Sequence, residues 1–359
     1  MALFLAPFFV GCGSDSPTVA DIDPEPDPEP SLLLLPAIGG ESSWAYGVSD
    51  EGLPVGMAND SDGSFLAVRW DADGTPESLL PASASFGVSG GISADGQVVA
   101  GYYSVADNPS HAFRWTESGG LEDLGAFEGA SALTWKISGD GATIVGGANY
   151  PGVPMDAALW SVHGGAQLLG TLGDGNRAIA AAASFDGSIV VGSSRGQTGV
   201  SGDRAFRWTF SEGMTQLPGF QWEGLTRADG LTPDGSRVIG QAALEDGELR
   251  AALWVGSAAP VILGTLGSSF LMHRALGITG DGGMIVGRAA FDGNHTGGRA
   301  VTWDAGGQIT DLNEAWADLI PAGWTLSVAW EISPNGRFIV GEATSGERTR
   351  GFLLDTAGR

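Results

Sequence analysis

Histidine, the side chain best suited to proton transfer near neutral pH, occurs four times in this chain, as His111, His163, His273 and His295. None sits at a metal-ligating spacing such as His-x-Glu-x-x-His. Only His273, next to Arg274 on a connection between repeats, falls near a candidate site. The single cysteine, Cys12, excludes an intrachain disulfide and a Cys-based metal centre. A nucleophilic triad needs a Ser or Cys, a base and an orienting carboxylate, and no Gly-x-Ser-x-Gly elbow is present. The 42 acidic residues could include a glycosidase pair, but no two stand out. No catalytic residue is therefore assigned. For metals, Asn59-Asp60-Ser61-Asp62-Gly63 and Asp71-Ala72-Asp73-Gly74, the latter near Glu77, group oxygen atoms that could hold Ca2+. Neither continues into a full calcium loop, so acidic turns are the simpler expectation, with no cofactor.

These side chains ride on a repeat. Its turn tetrapeptides are Ser49-Asp50-Glu51-Gly52, Ser93-Ala94-Asp95-Gly96, Ser138-Gly139-Asp140-Gly141 and Ser184-Phe185-Asp186-Gly187. They continue as Thr232-Pro233-Asp234-Gly235, Thr279-Gly280-Asp281-Gly282 and Ser333-Pro334-Asn335-Gly336, with glycines 44 to 54 residues apart. Trp70, Trp115, Trp160, Trp208, Trp254 and Trp303 keep register with them, and Leu354 takes the seventh place. Each copy reads as four short strands: a small-residue strand, an Asp-Gly turn, a β-branched strand, an Ala-x-x-Trp strand and a Leu-Gly ending. A period of this length marks a propeller or a solenoid. The ends favour a ring. The last repeat stops after its third strand, while an apolar stretch at 31–39 stands alone ahead of the first. Placing it on the last blade completes that blade and removes exposed sheet edges. The expectation is an all-β, seven-bladed β-propeller of four-stranded blades over residues 32–359, closed by its N-terminal strand.

That frame puts the Asp-Gly turns on one face and long, dissimilar loops, such as 102–110, on the other. Binding usually resides in such loops. Candidate ligand residues on that face are Trp222, Trp316 and Trp324, which the repeat does not require, and Tyr102 and Tyr103 at the start of one variable loop. Arg177, Arg227 and Arg274 enter their inner strands from the same side. They would form a positive collar for an anionic ligand or pair with neighbouring carboxylates.

Net charge is -25 and only 17 residues are Lys or Arg, which argues against nucleic acid. The partner is expected to be an unidentified protein or glycan, and the chain a monomer. Met1 to Val10 is apolar, and Phe9-Val10-Gly11-Cys12 resembles a bacterial lipoprotein signal, which implies that Cys12 accepts lipid. Residues 1–12 would then be the signal segment. Residues 13–31, with Asp-Pro-Glu-Pro repeats, would be an extended acidic spacer. Membrane association would run through the lipid anchor alone, at an outer membrane or cell surface; without the anchor the exported chain would be periplasmic or secreted.

His111-Ala112-Phe113-Arg114-Trp115, followed by Gly120 to Gly125, the Ile137 to Gly141 turn and Ile144-Val145-Gly146, resembles the bacterial HAF-type extracellular repeat. Arg204-Ala205-Phe206-Arg207-Trp208 and Gly170-Thr171-Leu172-Gly173 fit the same pattern. The resemblance implies an exported, propeller-like protein and carries over no catalytic residues. A binding or scaffold module is the leading expectation. A carbohydrate-active enzyme, a glycoside hydrolase or polysaccharide lyase with its site at the channel mouth, is the alternative.

Overall fold

The structure, a computed structural model, describes residues 28–106, 108–152, 154–173, 175–195, 202–220, 224–291 and 297–358. Cys12, Trp222 and His295 lie outside the described residues.

Every repeat folds as an antiparallel meander. The second repeat shows the pattern: Phe86–Ile92, Val98–Ser104, His111–Thr116 and Gly120–Gly125 pair in sequence order. Among the described residues the strands form five sheets of four and one of eight. The eight-stranded sheet is two four-stranded units joined by a single parallel bridge, Leu249 to Met272. The inner strands of the seven units are Gly39–Val48, Phe86–Ile92, Ser131–Ile137, Arg177–Ala183, Thr226–Leu231, Met272–Ile278 and Thr325–Ile332. Consecutive inner strands touch, and the last touches the first.

Closure follows from Ser31–Leu35, which pairs antiparallel with Arg348–Asp355 and becomes the outermost strand of the last unit. Leu35 is fully buried there. First and last units are therefore held by main-chain hydrogen bonds as well as packing, and no sheet edge faces a gap at the seam.

The turns lock the other seams. In Ser93-Ala94-Asp95-Gly96, Gly96 takes φ +73°, a left-handed conformation that favours glycine. The Ser93 hydroxyl donates to Asp95 Oδ1 at 2.6 Å, and the same carboxylate accepts from Gln97 N at 3.0 Å. The next turns repeat this geometry through Asp140, Asp186, Asp234 and Asp281. These hydrogen bonds hold Asp95, Asp186, Asp234 and Asp281 below the ordinary carboxylate pKa, Asp234 to about 2. Neighbouring turns are also stitched to each other, as in Ala94 N to Gly139 O at 3.0 Å and Phe185 N to Pro233 O at 2.9 Å. The first turn departs from the pattern and serves the seam: Asp50 Oδ1 accepts from Asn335 N at 2.7 Å.

The Ala-x-x-Trp tryptophans are core. Trp70, Trp254 and Trp303 are fully buried, and each indole N–H reaches a carbonyl of a preceding connection: Pro36, Pro218 and Gly264 respectively. Trp70 packs among residues of both the last and the first unit, including Val340, Leu353 and Ala45. Burying side chains of this size, each worth about 3 kcal/mol or more if truncated, is what welds adjacent units.

Candidate functional site

Besides a second register shift in Gly39–Val48 and in Thr325–Ile332, each inner strand carries a β-bulge at the same depth. The residues left unpaired by it are Tyr46, Gly90, Trp135, Ala181, Asp229, Leu276 and Trp330. A bulge bends its strand and re-aims the extra side chain, and here all seven line one central cavity of about 640 Å³. Residues from the second and third strands join them, among them Phe65, Tyr102, Ser193 and Asp203, so the cavity lies at the variable-loop end of the channel.

Its wall has two unlike halves. On the side of the last unit and the first three stand Trp330, Tyr46, Phe65, Phe86, Tyr102 and Trp135. Tyr46 meets Trp330 edge-on at 5.8 Å, and Phe86 lies 6.0 Å from Tyr102. Behind them Glu342 accepts from the Trp330 indole N–H at 2.6 Å. Burial pushes the Glu342 carboxyl above its ordinary pKa, against the Trp330 hydrogen bond and the charge of Arg288. Burial, then the nearby Glu342 and Tyr102, raise the Tyr46 phenol. Burial likewise raises Tyr102.

The opposite half is ionic. Arg227 Nε and Nη2 meet Asp203 Oδ2 at 2.9 and 2.7 Å, while Arg195 Nε takes Asp203 Oδ1 at 3.1 Å. Arg274 forms a two-pronged pair with Asp229, at 2.9 and 2.5 Å. The third arginine differs. Arg177 lines the cavity, and its guanidinium makes no hydrogen bond or ion pair among the described residues. Of the expected collar, Arg274 has its own carboxylate, Arg227 shares one with Arg195, and Arg177 has none among the described residues.

One residue past each bulge the channel narrows. The equivalent positions are Gly47, Gly91, Ala182, Gly230 and Gly277, together with Lys136 and Glu331, and all line a smaller cavity of about 120 Å³ at the turn end. Lys136, the only lysine of the chain, reaches across the lumen to Glu331, 195 residues away in sequence. The small residues leave the room that this pair fills: a Cβ on Gly277 would come within 2.5 Å of Glu331 Oε1. Lys136 also lines the larger cavity, so the pair lies between the two.

Other residues singled out in the sequence lie elsewhere. Tyr102 lines the cavity, but Tyr103 points through the opposite face of the strand and packs against Phe113 and His111. Strand alternation separates them. Trp316 and Trp324 pack half-buried on the core of the last unit, over Leu312 and Leu326. The short helix Leu312–Ala315, capped by Asp311 accepting from Asn313 N at 2.8 Å, sets that packing. His273 is fully buried rather than exposed at the mouth. Its Nε2 accepts from Leu266 N at 3.2 Å, and burial, then Arg250, lower its pKa to about 4. The Asp60 and Asp71 carboxylates accept main-chain N–H groups of their own turns, and Glu77 pairs with Arg69. Among the described residues no three His, Cys, Asp or Glu side chains converge as a metal-ligand set. Sequence reading missed the bulge tier and Lys136, although a lone lysine is a signal visible in composition.

No family model and no curated protein matches the sequence. Solved structures do resemble it. The oligogalacturonate lyase of Vibrio parahaemolyticus superposes with TM-score 0.57 at 11% identity, over 91% of this chain and 97% of that one. An oligogalacturonate lyase in complex with manganese gives 0.54 at 12% identity, over 91% and 90%. TolB from Acinetobacter baumannii gives 0.47 at 15% identity, over 77% of this chain and 64% of that one, less than two thirds of its length. Likeness at such identities is one of fold, and that of the two oligogalacturonate lyases agrees with the β-propeller built above.

Proposed function

We propose that this chain is an exported, lipid-anchored binding module of a bacterial envelope that takes its ligand in the cavity at the variable-loop mouth. One observation carries the reading. Structurally equivalent bulge positions hold residues as different as Tyr46, Trp135 and Asp229, whereas the turns at the other end are near-copies. Packing alone would be served by the same residue at each position, and divergence on a rigid frame is how recognition sites are built. Export and anchoring rest on the Cys12 signal, the acidic spacer and the resemblance to HAF-type repeats. No helix among the described residues is long and apolar enough to cross a membrane.

The binding site is tested with an array of glycans and envelope proteins. A captured ligand should bind at least about tenfold more weakly to Tyr102→Ala and Trp135→Ala, as hot-spot aromatics do. Unchanged affinity would move the site elsewhere. Cys12→Ser should shift the protein from the membrane to the soluble fraction, and retention on the membrane would refute the anchor.

A carbohydrate-active enzyme is the second reading, favoured by Glu342, whose buried carboxyl holds its proton above the usual range close to the Tyr46 phenol. Cleavage of a bound glycan, lost in Glu342→Gln, would replace the binding-module reading.

A further inference from the structure

We infer that the cavity's ligand is a small organic anion with a flat apolar body, its negative group on Arg177 and its body against the aromatic half of the wall. This rests on the binding-module reading above.

Charge comes first. The chain carries -25 overall, yet the described charges around the cavity balance to a positive excess. Lys136 is met by Glu331, Arg274 by Asp229, and Arg227 shares Asp203 with Arg195. Arg177 is left over, half-buried at the wall. A half-buried guanidinium without a partner gives up solvation for no return, and an arriving anion would restore it.

Shape comes second. About 640 Å³ is the size of a small-molecule pocket. The Lys136–Glu331 pair spans the lumen beneath it, which obstructs a polymer threaded along the channel and favours a ligand entering from the variable-loop mouth. Phe65, Phe86, Trp135 and Trp330 offer ring faces and edges to a flat body. Polar capacity for a hydroxyl-rich neutral sugar is short, because the Asp203 and Asp229 carboxylates are already engaged by arginines. One polar group does wait: Thr134, 2% exposed and on the cavity wall, has a buried hydroxyl with no partner. It could serve a second oxygen of the ligand.

The experiment is calorimetric titration of the full chain in mild detergent with 2-naphthoate, its neutral counterpart 2-naphthylmethanol, glucuronate and glucose. We expect 2-naphthoate to bind at least about tenfold more tightly than 2-naphthylmethanol. Arg177→Gln should erase that preference, while Arg207→Gln, on the outer part of its sheet, should leave it intact. Glucuronate bound in preference to glucose, again only with Arg177 present, would keep the anion and assign an acidic sugar as its source. Equal affinity for the charged and neutral naphthalenes, no binding of either anion, or indifference to Arg177→Gln would overturn the inference. A glycan or protein ligand sensitive to Tyr102→Ala but not to Arg177→Gln would leave the binding-module reading standing and remove the anion alone. A ligand indifferent to both would remove both.

Discussion

The two halves of the cavity wall stand on the same backbone. Every inner strand carries its bulge at the same depth, and yet Tyr46, Trp135 and Trp330 occupy it on one side while Asp229 and Leu276 occupy it on the other. The aromatic half is held by ring packing over Glu342, and the ionic half by charge pairs between neighbouring units. The bulge fixes where a side chain points, and residue type alone decides what the wall does there. A propeller can therefore change its ligand without changing its frame, one tier position at a time.

Breaking the ionic half should cost the most. Asp229→Ala leaves the Arg274 guanidinium, 24% exposed, without its two-pronged partner. Removing one member of a fully buried pair costs about 3–5 kcal/mol, and partial exposure brings the expectation to about 2–4 kcal/mol, read from urea unfolding. A loss below about 1 kcal/mol would mean that the pair is a surface ornament. Lys136→Met comes next, at about 2–3 kcal/mol, because it strands Glu331 across the lumen. Adding Glu331→Leu should recover most of that loss, since an apolar pair of similar volume does not need the missing charge. A double variant no better than the single one would show that the lysine stem, not the ion pair, stabilises the lumen there. Trp135→Ala on the aromatic half, at a position 37% exposed, should cost less than either.

The contrast also explains what could be read from sequence. Turn chemistry is local: Ser93, Asp95 and Gly96 make their contacts within five residues, so the same letters recur wherever the turn does. Ring closure was legible for a related reason, because Ser31–Leu35 and Arg348–Asp355 are fragments that only make sense together. The cavity is different in kind. Arg227 finds Asp203 over 24 residues, Arg274 finds Asp229 over 45, and Lys136 finds Glu331 over 195. No local pattern records such distances. The collar of arginines was visible as three residues; that Arg177 alone of the three has no partner among the described residues depends on where Asp203 and Asp229 come to lie. Likewise, adjacent Tyr102 and Tyr103 could be named together, but the strand's alternation sends one to the cavity and the other to the core.

Two buried groups behind the wall should give pH responses of opposite direction, His273 on the strand of Arg274 but outside the cavity, and Glu342 behind the aromatic half. His273, beside Arg274, has a folded pKa of about 4 against an ordinary 6.5. The unfolded chain takes up that proton first, so stability is full above about pH 6.5 and falls as pH drops toward 4, by an amount on the order of 2–3 kcal/mol. His273→Gln should flatten this slope in thermal melts. Glu342 on the aromatic half has its pKa raised, so the folded state holds the proton more tightly than the unfolded one. Its contribution is full below the ordinary carboxylate range and is lost as pH rises through the raised value. Glu342→Gln should therefore raise the melting temperature at neutral pH and do little in acid. The same slope in both variants would mean that neither group is set by its own burial.

The smallest effect expected is on binding, from the tryptophans outside the tier. Trp316 and Trp324 are as large as Trp135 and lie on a long connection, which makes them attractive on sequence grounds. Their rings, however, are spent on the core of the last unit, and neither lines the cavity. Truncating Trp324 removes packing over Leu326 without touching the aromatic half, so Trp324→Ala should lower the melting temperature while changing affinity for any cavity ligand by less than about twofold. Titrating Trp324→Ala and Trp135→Ala with the same ligand makes the comparison direct. If Trp324→Ala weakened binding as much as Trp135→Ala, the recognition surface would have to extend across the loops of the last unit, and the bulge tier would be only its inner edge.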